Sequence, residues 1–183
     1  MADGEPANKV GQTGEIVGGD LAKKMDLYLT RITPFGFSGA LLVAKDGKVI
    51  LNKGYGMAIR SENIPNTSKT VFSTGSITKQ FTSMLIMQLV NEGKISLDGT
   101  ISDYLPYYRK DTGGKVTVHH LLIHNSGIPS YTNSLTFRDI SRDPYGVKEF
   151  VKKYCSDEFE FELGKRYSYN NSGYFILGAI IEE

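Results

Sequence analysis

Ser76 and Lys79 stand three residues apart at the head of a segment rich in apolar side chains. Residues i and i+3 share one face of a helix, so the lysine amine can approach the serine hydroxyl. The first turn of a helix also favours negative charge, which suits an alkoxide or an oxyanion. A hydroxyl beside an amine is the makings of a nucleophile with its base, provided burial or a neighbouring cation frees the amine of its proton. The tetrapeptide Ser-x-x-Lys is short enough to arise by chance, in which case Lys79 is a solvated helix lysine. Its surroundings decide.

Ile77, Phe81, Met84, Leu85, Ile86, Met87, Leu89 and Val90 cover most of a helical wheel. A helix apolar nearly all round is expected to be buried, and this one is too short to span a membrane. Gly93 is the expected stop, and Ser73 or Thr74 the expected cap. Before it, Asp20 is placed to cap a helix with Leu21, Met25, Tyr28, Leu29 and Ile32 on its apolar face, ended by Pro34 and Gly36. Asp46-Gly47 between two β-prone runs, 39–44 and 48–51, signals a hairpin. Residues 59–70 read as a connection. Further on, a short helix is expected at His119–His124 and a helix opening at Asp143-Pro144 with Val147, Phe150, Val151 and Tyr154 inward. A last helix starts near Ser172. The chain thus divides into a polar, glycine-rich tail (1–19), a helix and hairpin (20–69) and a helical region (70–183).

The 183 residues are 40% hydrophobic and 22% charged with a formal net charge of +1, the profile of a globular protein with a real core. Near-zero charge and scattered basic residues argue against nucleic acid or an anionic membrane as partner. Cys155, the single cysteine, excludes an internal disulfide and is expected to pack. Residues 1–19 lack the basic-then-apolar layout of a secretory signal, which leaves the compartment open between cytoplasmic and exported with the signal removed. His120 and His124 have a spacing that metals can use, but no Glu completes a His-Glu-x-x-His pattern, so no metal is expected. Gly54-x-Gly56 lacks the third glycine of a nucleotide cradle.

Five stretches now stand in a telling order. They are Ser38-Gly39-Ala40-Leu41-Leu42-Val43, Phe72-Ser73-Thr74-Gly75-Ser76-Ile77-Thr78-Lys79 and Glu92-Gly93-Lys94-Ile95-Ser96-Leu97-Asp98. After them come His120-Leu121-Leu122-Ile123-His124-Asn125-Ser126-Gly127-Ile128-Pro129 and Tyr169-Asn170-Asn171-Ser172-Gly173-Tyr174. Together they resemble the serine β-lactamase and penicillin-binding-protein superfamily, nearest its class C β-lactamase, D-Ala-D-Ala carboxypeptidase and esterase branch. The resemblance runs from about residue 20 to the end of the chain. It implies an α/β (α+β) fold of the β-lactamase/transpeptidase type and acyl-enzyme hydrolysis of β-lactam, D-Ala-peptide or ester substrates, without cofactor or metal.

On that resemblance Ser76 is the nucleophile, and Lys79 takes its proton directly or through Tyr169. Tyr169 relays a proton to the leaving group, while Asn171 holds Lys79 and binds a substrate amide. Tyr131-Thr132-Asn133 is a second Tyr-x-Asn segment. Tyr169 is preferred because Ser172-Gly173-Tyr174 and an apolar helix follow it, which leaves Tyr131 as a surface loop tyrosine. Tyr167 has no asparagine at the right spacing. The two histidines become structural, bonding loop backbone near Ser126-Gly127. The resemblance implies a periplasmic or secreted protein, a point the sequence itself leaves open.

The sequence departs from the family at its third motif, Lys-Thr-Gly or His-x-Gly on a late strand, which is absent. The pattern also stops within an apolar helix. Both lead to the expectation of an incomplete fold without its C-terminal strands, the N-terminal portion of a longer hydrolase. Such a portion would be completed by a homo-oligomer or a complementing C-terminal polypeptide. The alternatives are a penicillin- or peptide-binding sensor without turnover, or an inactive fragment held by self-association.

Overall fold

The computed structural model describes residues 14–135, 137 and 143–183, which form two compact units divided between Ser73 and Thr74. Residues 1–13 of the expected tail (1–19) lie outside the described residues.

The first unit is a small sheet with one helix. β2 (Gly39–Lys45) and β3 (Lys48–Tyr55) pair antiparallel around Asp46 and Gly47, both at positive φ, as the Asp-Gly signal predicts. Two features differ from the sequence reading. β1 (Ile16–Val17), placed in the tail by composition, pairs with β3 and widens the hairpin to three strands in the order β1-β3-β2. β4 (Met57–Ile59) and β5 (Ile64–Pro65) make a two-stranded ribbon where a plain connection is expected. Two-residue strands carry too little pattern to be recognised by alternation.

α1 (Gly19–Ile32) starts at Gly18 with no side-chain cap, and Asp20 sits in its first turn instead. Ala22 and Leu29 are buried with Met25 and Ile32 beside them, packed with Leu51 and Tyr55 of β3. Leu21 and Tyr28, expected on that face, point to solvent because the 22-25-29-32 row holds the inward stripe. Gly54 is required where it stands: a Cβ there would come within 2.2 Å of the Asn66 carbonyl oxygen.

The second unit is helical. α2 (Thr78–Asn91) closes in a Schellman motif, with Lys94 N–H on the Leu89 carbonyl and Gly93 N–H on that of Val90. α3 (Ile101–Tyr104) opens on a Thr100/Asp103 capping box, and α4 (Lys110–Gly113) follows. α5 (Val118–Leu122) is capped by Thr117. α6 (Val147–Tyr154) begins after Gly146, later than the Asp143-Pro144 signal suggests, but buries the expected Phe150 and Val151. α7 (Asn171–Glu182) buries Ile176, Leu177, Ala179 and Ile180 in the centre of a core shared with Ile86, Leu121, Val151 and Cys155.

α2 is a correction. Only Ile86 of this helix is buried, while Phe81, Met84, Leu85 and Met87 are exposed. Hydrophobicity all round predicts burial all round; here Ile86 is inward, Leu89 and Val90 are half-buried, and Phe81, Met84, Leu85 and Met87 form open apolar surface.

Candidate active site

Ser76 belongs to a 3₁₀ turn, Gly75–Ile77, that runs straight into α2. It therefore precedes the α-helix rather than sitting inside its first turn. No side chain caps this start, because the Thr74 hydroxyl meets that of Thr78 at 3.0 Å. One turn later Lys79 points back, and its Nζ donates to Ser76 Oγ at 3.3 Å. The lysine is half-buried and the serine exposed.

Tyr169 and Asn171 come to the same place from the other end of the unit. The Tyr169 hydroxyl donates to Ser76 Oγ at 2.6 Å. Asn171 Oδ1 accepts from Lys79 Nζ at 2.6 Å. Lys79 and Tyr169 thus meet on the Ser76 hydroxyl, and Asn171 stands behind Lys79. Lys79 Nζ also stands 4.9 Å from the centre of the Tyr169 ring and 5.4 Å from that of Tyr174. The Lys79 ammonium first, and then the Ser76 hydroxyl, hold the Tyr169 phenol below its ordinary pKa.

Asn170 explains how Tyr169 and Asn171 can flank one another on different errands. It is buried and caps α7, its Oδ1 accepting from Gly173 N–H at 2.7 Å while its Nδ2 donates to the Ile128 carbonyl. With Asn170 pinned inward, the residue before it faces the serine and the residue after it opens the helix.

The orientation of Asn171 is set by the rival Tyr131-Thr132-Asn133 segment and Ser130 before it, to which the sequence gives no part in the site. Its Nδ2 donates to Thr132 Oγ1 at 2.9 Å and its backbone N–H to Ser130 Oγ at 3.1 Å. Ser130 and Thr132 are themselves 2.9 Å apart. Tyr131 N–H donates to Ser172 Oγ at 2.9 Å. With its NH2 held by Thr132, the amide turns its oxygen toward the lysine. Nothing in the letters around Ser130 and Thr132 marks them for this task.

The competing tyrosines are placed elsewhere. Tyr131, expected as a surface loop residue, is instead half-buried with its ring edge-on to Phe150 and Phe175, because the flanking polar groups anchor the loop to α7. Tyr167 is exposed and edge-on to His124. Of the two histidines, His120 completes the capping box of α5 with Thr117. His124 Nδ1 accepts from Asn170 N–H at 3.0 Å, so its backbone partner lies in the Tyr169 segment and not at Ser126-Gly127 as expected. Among the described residues no cluster of three or more His, Cys, Asp or Glu could hold a metal.

Comparison with known proteins gives the family and the fold. The profile of the Beta-lactamase family matches residues 34–183. A teichoic acid D-alanine hydrolase of Staphylococcus aureus is 32% identical over 161 residues, which is 88% of this chain and 38% of that protein. An octameric penicillin-binding protein homologue from Pyrococcus abyssi superposes with a TM-score of 0.69 at 32% identity, over 90% of this chain and 39% of the other. A D-amino acid amidase from Ochrobactrum anthropi SV3 does so at 0.73 and 27%, over 89% of this chain and 46% of the other. The chain spans less than half the length of each. Its fold is the mixed α/β fold of the β-lactamase/transpeptidase type, and the chain belongs to the Beta-lactamase family.

Proposed function

We propose that Ser76 is the nucleophile of a serine hydrolase that works through an acyl-enzyme on D-aminoacyl esters or amides, with β-lactams as reactive analogues. The observation that carries this reading is the convergence of Lys79 Nζ and the Tyr169 hydroxyl on Ser76 Oγ, at 3.3 and 2.6 Å. The substrate class takes its support from the hydrolase and the amidase the chain resembles, both named for D-amino acid groups.

In this mechanism Tyr169 reacts as the phenolate, its own proton having gone to solvent: Ser76 Oγ forms a bond to the substrate carbonyl carbon, and the serine proton passes to the phenolate oxygen of Tyr169. The shorter contact makes Tyr169 the immediate base, and the neighbouring Lys79, which lowers the phenol pKa, stabilises its phenolate. The carbonyl–leaving-group bond then breaks as Tyr169 returns the proton to the departing alcohol or amine. Water attacks the ester on Ser76 by the same route in reverse and releases the acid. Asn171 keeps Lys79 in place and presents its amide to the substrate.

The exposed strip of Phe81, Met84, Leu85 and Met87 supports a partner that covers α2, either a second copy or a complementing polypeptide. Self-association read by size-exclusion chromatography with light scattering favours the second copy; a dispersed monomer that hydrolyses substrate at full rate would remove the need for either.

Incubation with a fluorescent penicillin and a chromogenic D-alanyl ester tests the chemistry. Label on the wild type but not on Ser76→Ala, followed by its release, is the expected result. Stable label without release converts the reading to a binding sensor, and equal labelling of Ser76→Ala overturns it.

A further inference from the structure

Tyr169 is exposed and only 4.9 Å from a cation, yet its hydroxyl is held on one atom. Something other than its own burial fixes the backbone there. His124 brackets that residue on both sides. Its carbonyl accepts from Ser168 N–H at 2.8 Å, and its imidazole Nδ1 accepts from Asn170 N–H at 3.0 Å. Between these two bonds sits Tyr169, its ring 4.7 Å from that of His124 with the planes tilted by 36°. The Tyr174 ring also lies 5.0 Å from the same imidazole. His124 reaches this position by adopting a φ of +59°, a left-handed conformation that a non-glycine residue rarely takes without compensation.

We propose that His124 is a positioning residue for Tyr169, and that it works only as the neutral imidazole whose bare Nδ1 accepts the Asn170 amide. The part concerning Tyr169 and catalysis rests on the acyl-transfer reading above; the part concerning Asn170 does not.

The reason is a matter of donors. A neutral imidazole that accepts at Nδ1 carries its proton on Nε2. Protonation places a second N–H at Nδ1, facing the N–H of Asn170, and the bond is lost. Asn170 is buried, so its amide is left without the acceptor it has in the fold. The groups facing the ring are Lys79 from α2, Tyr167 and Tyr169 from the preceding segment and Tyr174 from α7. On its own side of the chain stands His120, in the capping box. None of these is a carboxylate that would favour an imidazolium. Burial first, and the Lys79 ammonium second, push the ring below its ordinary value. The latch is therefore intact at neutral pH and opens as the pH falls from about 6.5 through the lowered value.

An NMR titration of the wild-type chain from pH 8 to 4, joined to the rate of Ser76 labelling by a fluorescent penicillin, tests this. The Asn170 amide and Tyr169 ring resonances are expected to shift together with the His124 ring, with one midpoint below 6.5, and labelling to slow over the same range. His124→Ala is expected to label about 100-fold more slowly than wild type. His124→Asn supplies a non-titrating acceptor and tolerates positive φ; it is expected to recover at least tenfold of that loss and to lack the acid midpoint. An Asn170 amide that ignores the His124 titration overturns the latch, whether or not the chain is an enzyme. So does a His124→Asn labelling profile that keeps the wild-type midpoint. A wild type that never labels removes the acyl-transfer reading, and with it the catalytic role given to His124, while the amide titration still decides the contact.

Discussion

Tyr131-Thr132-Asn133 and Tyr169-Asn170-Asn171 have the same two letters at the same spacing and lie in one unit of the molecule. The ring of Tyr131 is packed into an aromatic cluster with Phe150 and Phe175. That of Tyr169 lies in the open between His124 and Lys79, with its hydroxyl on Ser76. The backbone around each is what differs. The first segment is a 3₁₀ turn whose flanking hydroxyls reach toward α7; the second is the cap of α7 itself, with its middle asparagine buried. One segment therefore positions and the other presents. The two are joined where Thr132 holds the amide of Asn171, so the scaffold segment acts on the site without touching Ser76.

The largest effect should separate the two phenols. Tyr169→Phe removes the proton carrier but little packing, and Ser76 labelling by a fluorescent penicillin is expected to fall about 100- to 1,000-fold with the thermal transition unchanged. Tyr131→Phe, the matching change, should leave both nearly as they are. A Tyr131→Phe variant that loses labelling as heavily as Tyr169→Phe would mean that the preferred tyrosine was the wrong one.

Next in size is a stability effect on the other segment. Tyr131→Ala deletes a half-buried ring with several aromatic neighbours, and about 2 kcal/mol of unfolding free energy is expected to go with it. Urea denaturation followed by circular dichroism measures this, and Tyr169→Ala provides the control, with a much smaller change.

Thr132→Val probes the link between the segments. It keeps the shape of the side chain and removes the oxygen that receives Asn171 Nδ2. The loss of one such bond is about 1 kcal/mol, so labelling should slow by no more than about tenfold, through a looser Asn171 and Lys79. Labelling at the wild-type rate would show that Lys79 alone fixes the amide.

How much of this was legible in the sequence follows from what each residue depends on. Ser76 and Lys79 are related by local helix geometry, so their meeting could be read from a spacing of three. The start of α7 is equally local, although the sequence places it near Ser172 and does not name Asn170 as its cap. The pairing of Tyr169 with Ser76, 93 residues away, came through resemblance, because no periodicity links two such distant positions. Thr132 and His124 were not legible in these roles. Their partners, Asn171 and the Asn170 amide, are 39 and 46 residues off and are reached only once α5 and α7 have packed. The exposed wheel of α2 was misread for a related reason: hydrophobicity states what a side chain prefers to lose from water, and not which neighbour supplies the cover.

The finest test of the comparison is the ionisation of the two phenols. A tyrosine in water loses its proton near pH 10. Burial raises Tyr131 above that value. The Lys79 ammonium and the Ser76 hydroxyl lower Tyr169 below it. As the pH rises, Tyr169 should therefore become a phenolate first, while Tyr131 remains protonated past pH 10. Carbon-13 labelling of the tyrosine Cζ atoms resolves the two by NMR, with Tyr169→Phe and Tyr131→Phe assigning the signals. Lys79→Met removes the cation and should carry the Tyr169 midpoint upward while leaving Tyr131 where it is. If both phenols titrated together in the wild type, the difference in surroundings would have no electrostatic consequence. The case for Tyr169 as the base would then rest on the 2.6 Å contact alone.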